Sequence, residues 1–170
     1  MAYIDVLPLE TVKTYLRIDD TQNETDAEIA SMITSALLYI EKHTNVIVSR
    51  QATKEYIVKG GCVKVYDTPI NSVVKGIDED GADVTLTFKT NYNKEEKSLY
   101  TNYYGIETSA VKLVLDVGHT AASDVPEDLI NLALVIIKVM YYEQESDLSF
   151  KEMLPSWANS ILQTNRRFLV

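Results

Sequence analysis

Nucleophilic catalysis needs a reactive side chain with a base and an orienting group beside it. The two histidines are His43, at a predicted helix end, and His119, just after a predicted strand; neither has a diagnostic serine or cysteine motif near it. Both read as surface or capping residues. Cys62 stands between Gly61 and Val63 in a predicted strand, a setting for a small apolar filler rather than a reactive thiol. A lone cysteine makes no internal disulfide and, with two histidines, no metal cluster, and the chain reads as cytoplasmic in origin. Asp19, Asp20, Asn23, Glu24 and Asp26 are rich in oxygen ligands. They lack the alternation, central glycine and closing glutamate of a calcium loop, and read as a solvated loop. Gly60-Gly61 lacks the Lys-Ser/Thr of a phosphate loop and lies between strands. Tyr100, Tyr103 and Tyr104 could stack on bases, but Lys94 and Lys97 are offset by Glu95 and Glu96. Without a cationic groove, strand packing or a protein interface is the better use for them. No catalytic residue, metal or cofactor is expected.

The elements that would position these residues follow from periodicity. Pro8 opens a short helix ending near Arg17, with Leu9, Val12 and Leu16 at helical spacing. Thr25 and Glu28 stand in the capping-box relation, and Ile29, Met32, Ile33, Ala36, Leu37 and Ile40 form one face of a helix running to Thr44, with Asn45 as its stop. From Val46 to Gly118 the period switches to two. Gly60-Gly61 separates Tyr56 and Val58 from Val63 and Val65, and Asp80-Gly81 separates Val73, Val74 and Ile77 from Val84, Leu86 and Phe88. Both predict hairpins. Asn91 to Lys97 predicts a mobile loop or hairpin tip. Val111, Leu113 and Leu115 alternate with Lys112 and Asp116 in a last strand.

Pro126, Glu127 and Asp128 then open a helix to about Glu145. It is apolar nearly all round, either because it is the central core helix or because one side, Leu132, Val135, Ile136 and Val139, meets a neighbouring subunit. Leu154, Trp157, Ile161 and Leu162 follow Pro155 as a short amphipathic helix ending in Asn165, Arg166, Arg167 and Phe168. A terminus this apolar and basic calls for a partner. The expected architecture is α+β: a small helical bundle from residues 1–45 and 119–170, with an antiparallel β module, 46–118, inserted.

Charge narrows the function further. With 170 residues and 46% hydrophobic content the chain can bury a core, and its formal net charge is −9. That charge opposes a duplex-gripping role, because phosphate contacts require lysine and arginine to dominate the contact face. No signal-peptide pattern is present. The longest apolar stretch, Leu129 to Tyr142, is too short for a bilayer and carries Asn131 and Lys138.

The order of parts resembles the head-tail connector (neck adaptor, head-completion) family of tailed bacteriophages. The matching segments are Leu9-Glu10-Thr11-Val12-Lys13-Thr14-Tyr15-Leu16-Arg17-Ile18; Asp26, Ile29, Met32, Ile33 and Ala36 with Tyr39-Ile40-Glu41 and Thr44-Asn45; Asp67-Thr68-Pro69-Ile70-Asn71-Ser72-Val73; and Val117-Gly118-His119 with Val125-Pro126-Glu127-Asp128-Leu129. Leu154-Pro155, Ile161-Leu162 and Asn165-Arg166-Arg167-Phe168 resemble the closing motif, with Asn165 where the family commonly has tyrosine. The resemblance spans nearly the whole chain through short, permissive pieces.

It implies a structural protein of the virion neck, made in the bacterial host cytoplasm. Such a subunit forms a homo-oligomeric ring, often dodecameric, that docks under the portal protein, completes the packaged capsid and presents a platform for the next neck or tail protein. Double-stranded DNA passes through without specific binding. On this reading Trp157, Ile161, Leu162, Arg166, Arg167 and Phe168 contact the portal, and the β module reaches toward a neighbour or the next neck ring. Deletion from Leu154 onward should abolish docking and leave a folded protein. The acidic surplus would either line the channel or keep an outer surface soluble. The alternatives are another neck or tail-completion ring protein and, from a different class, a small soluble enzyme or ligand-binding domain, which would need a deep pocket with convergent polar groups. A nucleic-acid-binding regulator would show salt-sensitive DNA binding.

Overall fold

The computed structural model describes residues 1–19, 25–58, 62–77, 80–84, 88–93, 98–103, 111–142 and 150–166. Its fold is α+β, with a sheet-containing segment inserted in a helical chain. Two compact units result, Met1–Ser49 with His119–Arg166, and Arg50–Gly118.

The first unit is helical: α1 (Tyr3–Val6), α2 (Leu9–Leu16), α3 (Asp26–Thr44), a 3-10 turn (Ala122–Asp124), α4 (Glu127–Tyr142), α5 (Phe150–Met153) and α6 (Ser156–Asn165). α2 follows Pro8 and buries Val12 and Leu16. It stops where Arg17 turns left-handed at φ 60°, so that Arg17 N–H and Ile18 N–H return to Thr14 and Lys13 carbonyls at 3.2 and 2.9 Å. α3 buries Ile29, Ile33, Ala36, Leu37 and Ile40 and stops at Asn45, also left-handed, whose N–H donates to the Glu41 carbonyl at 2.9 Å. Its start corrects the capping-box expectation. Thr25 takes φ −95° and ψ −2°, not the extended backbone that aims a cap hydroxyl at first-turn amides, and its Oγ1 is buried without a hydrogen-bond partner among the described residues. α4 sits against α2, α3 and α6. It buries Leu129, Leu132, Ala133, Leu134, Ile136 and Ile137, each of the larger side chains worth roughly 1.5–3 kcal/mol when taken out of water. The core reading of this helix therefore accounts for most of its apolar surface.

The second unit holds β1 (Gln51–Val58), β2 (Cys62–Lys64), β3 (Ile70–Ile77), β4 (Asp83–Val84), β5 (Phe88–Asn93), β6 (Ser98–Tyr103) and β7 (Val111–Val117). One sheet has the order β1-β7-β3-β4 and another β2-β6-β5. The hairpin expected at Asp80-Gly81 is present: Gly76 opposes Val84, Ile77 opposes Asp83, and Gly81 takes a positive φ of 83°. The hairpin expected at Gly60-Gly61 is not. β1 pairs antiparallel with β7 and β2 with β6, so the two runs belong to different sheets. Of Asn91 to Lys97, expected as a loop or hairpin tip, Asn91 to Asn93 end β5, with Asn93 opposite Ser98 of the antiparallel β6; residues 94–97 lie outside the described residues. β7 is also not half-exposed. Flanked by β1 and β3, it buries Leu113, Val114, Leu115, Asp116 and Val117 consecutively.

Candidate interaction surface

Of the side chains with chemical potential, His43 and Asp26 are held in structural roles. His43 Nδ1 lies 2.8 Å from the Tyr39 carbonyl, and its ring stacks on Tyr39 with centroids 4.0 Å apart. At His119 it is the backbone N–H that donates, to the Ile47 carbonyl at 3.1 Å. Asp26, from the acidic loop, pairs with the buried Lys13 at 2.8 Å, joining the start of α3 to α2; residues 20–24 lie outside the described residues. Cys62 is on β2, Tyr100 and Tyr103 are on β6, and Gly60, Gly61 and Tyr104 lie outside the described residues. Among the described residues no three His, Cys, Asp or Glu side chains gather as metal ligands, and no helix is long and apolar enough to cross a membrane.

Two buried carboxylates tie the chain together. In the helical unit Glu41 Oε1 accepts from the backbone N–H groups of Val48 and Ser49 at 2.9 and 3.2 Å, and Oε2 accepts from the Tyr3 hydroxyl at 2.8 Å. Burial, then the bond to Glu41, pushes the Tyr3 phenol well above its ordinary range. In the β unit Arg50 grips Asp116 with two bonds of 3.0 and 2.6 Å, and Asn71 Nδ2 donates to Asp116 at 3.3 Å and to the Gly118 carbonyl at 2.8 Å. The Arg50 guanidinium holds the Asp116 carboxyl below the usual carboxylate range. Tyr56 donates to Asp67, which also pairs with Lys54 at 2.8 Å. Burial raises the Tyr56 phenol, helped by that bond.

The helical unit leaves one aromatic groove open. Tyr15, Tyr142 and Trp157 are 40%, 57% and 46% exposed. With Val135, Val139 and Met153 they line a groove of about 420 Å³. The Tyr142 hydroxyl donates to the Leu16 carbonyl at 2.9 Å, fixing the end of α4 to the end of α2. The exposed Lys138 lines both this groove and a neighbouring recess, and the exposed Arg17 lines that recess. Such patches of aromatic side chains with basic neighbours suit protein partners.

The structure thus redistributes the expected contact residues. Trp157, expected against the portal, and Val135 and Val139, expected against a neighbouring subunit, line the same groove. Leu132 and Ile136 are fully buried in the unit's own core and have no surface to give a neighbour. Leu162 is likewise a core residue and Ile161 is half-buried against it. Arg166 is exposed beside Tyr39, His43 and Asn159, while Arg167 and Phe168 lie outside the described residues. Tyr15 and Tyr142 were not among the expected contact residues; the signal at each is a large aromatic at an exposed position near the end of its helix.

No family model matches the chain, and no curated protein matches it. Solved structures do, among them three chains of gene transfer agent particles. A chain in the neck of an empty gene transfer agent particle computed with C6 symmetry aligns over 100% of this chain and 94% of its own length, with a TM-score of 0.73 and 16% identity. A chain in the virion of the native particle covers 97% and 91%, with a TM-score of 0.66 and 16% identity. One in the native neck computed with C12 symmetry covers 96% and 93%, with a TM-score of 0.64 and 14% identity. The chain therefore has a fold found in the necks of gene transfer agent particles, in agreement with the resemblance of its motifs to the head-tail connector family.

Proposed function

We propose that the chain is a structural subunit of the neck of a tailed phage or a related particle, forming a ring beneath the portal and joining head to tail. The observation that carries this reading is likeness to neck chains over essentially the full length of both partners. Necks computed with C6 and C12 symmetry favour a ring of twelve copies, which satisfies both symmetries. A closed ring uses two different faces of each copy, so the open groove of the helical unit has a natural use. The ring completes the packaged capsid, DNA passes through its lumen, and the acidic surplus suits a wall that does not hold DNA. The next neck or tail protein binds the far side. The subunit is structural and carries out no catalysis.

The portal-facing element is the basic, apolar C-terminus, with Ile161, Arg166, Arg167 and Phe168 as contacts and Leu162 holding the helix that carries them; Trp157, expected with them, lines the groove instead. Deletion from Leu154 is not a clean test, because Leu154, Ala158 and Leu162 belong to the core. Removal of Arg166–Val170 instead spares those residues. In co-sedimentation with the portal, this shorter chain should keep its fold and lose portal binding. Undiminished binding would overturn the portal assignment.

A further inference from the structure

Resting on the ring reading, we infer that the aromatic groove of the helical unit receives the α1 end of a second copy of this chain. The groove offers exposed aromatic surface, Tyr15, Tyr142 and Trp157, beside two cations, Arg17 and Lys138. The α1 end offers the reverse. Ile4 is 44% exposed, next to the exposed Asp5, and the adjoining 3-10 turn adds the exposed Asp124. An apolar side chain flanked by acids thus faces a hydrophobic slot flanked by bases, the complementarity that orients a protein contact.

The placement also suits a ring. α1 precedes the first residue of α2, whereas Tyr15 and Arg17 stand at its other end. Eight residues of helix separate the two by about 12 Å. One copy can therefore fill its neighbour's groove while its own groove is filled by the next. Such a contact is head-to-tail, and it closes into a ring when the rotation per copy permits. A groove-to-groove dimer would instead bring Arg17 and Lys138 of two copies together, with like charges opposed.

The test is cysteine cross-linking of the full chain under the conditions that give rings, in a Cys62→Ser background. Ala2→Cys combined with Ser156→Cys, both exposed and leaving Ile4 and Trp157 in place, should give a ladder of disulfide-linked oligomers on oxidation, and neither substitution alone should give one. Trp157→Ala should weaken association between copies by about 30-fold, as the loss of a central aromatic anchor does, and Lys138→Glu by about 10-fold. Trp157 and Lys138 are exposed, so circular dichroism should show both variants folded. Rings that form without the ladder and ignore both substitutions would overturn the inference and leave the ring reading standing. Cross-linking by Ser156→Cys alone would overturn it in favour of groove-to-groove pairing. An unmodified protein that forms no ring, with or without portal, would overturn both.

Discussion

The helical unit and the β unit each bury a carboxylate, and they satisfy it differently. Glu41 is met by two backbone N–H groups and a tyrosine hydroxyl, all of fixed position, which pin Tyr3 of α1 and the Val48-Ser49 segment to α3. Asp116 is met by the Arg50 guanidinium, itself about half-exposed, and by Asn71, linking the approach to β1, the start of β3 and the end of β7. Backbone donors cannot swing away, and salt screens them little. A half-exposed cation can move, and solvent weakens its pull. The helical unit should therefore answer to changes of packing, and the β unit to changes of pH and charge.

The largest effect should come from the α4 core. Ile136→Ala removes a fully buried side chain and should cost about 4 kcal/mol, read as an early loss of helical signal in denaturant titration. Glu41→Ala strands two buried N–H groups and a tyrosine hydroxyl and should cost about 3 kcal/mol in the same assay. Asp116→Asn should cost less, about 1 kcal/mol at neutral pH, because Arg50 is partly solvated. Its signature is in the pH dependence. Asp116 is held below the ordinary carboxylate range, so its contribution is complete above the unfolded value of about 4 and is lost as pH falls through the depressed folded value. Melting temperature should then fall less steeply with acid in the Asn variant than in the unmodified chain. An identical slope would remove the electrostatic half of the comparison. Smallest is Lys112→Ala, which breaks an exposed pair with Glu55 at 3.0 Å and should change stability by less than about 0.5 kcal/mol.

α2, α3, α4 and α6 were legible because each carries apolar residues at helical spacing beside local boundary signals, Pro8, Pro126 and Pro155 at starts and Asn45 at a stop. The Asp80-Gly81 hairpin was legible because its turn chemistry is local. The pairing of β1 was not, since Gly60-Gly61 marks a reversal without saying which strand lies alongside, and the partner is β7 from the far end of the insertion. For the same reason Asp116 read as an outward residue: alternation with Leu115 cannot show that Arg50 and Asn71, distant in the chain, will reach it. α1 and α5, four residues each, are too short to show a period. The groove was half legible. Trp157, Val135 and Val139 stood out as contact residues, but Tyr15 and Tyr142 join them only once α2 and α4 are packed.

The central claim is assembly, and electron microscopy of the purified protein with and without its portal tests it most directly. Rings of twelve copies, formed on the portal or alone at high concentration, are the predicted result. A chain that stays monomeric at all concentrations and leaves the portal bare would contradict the account.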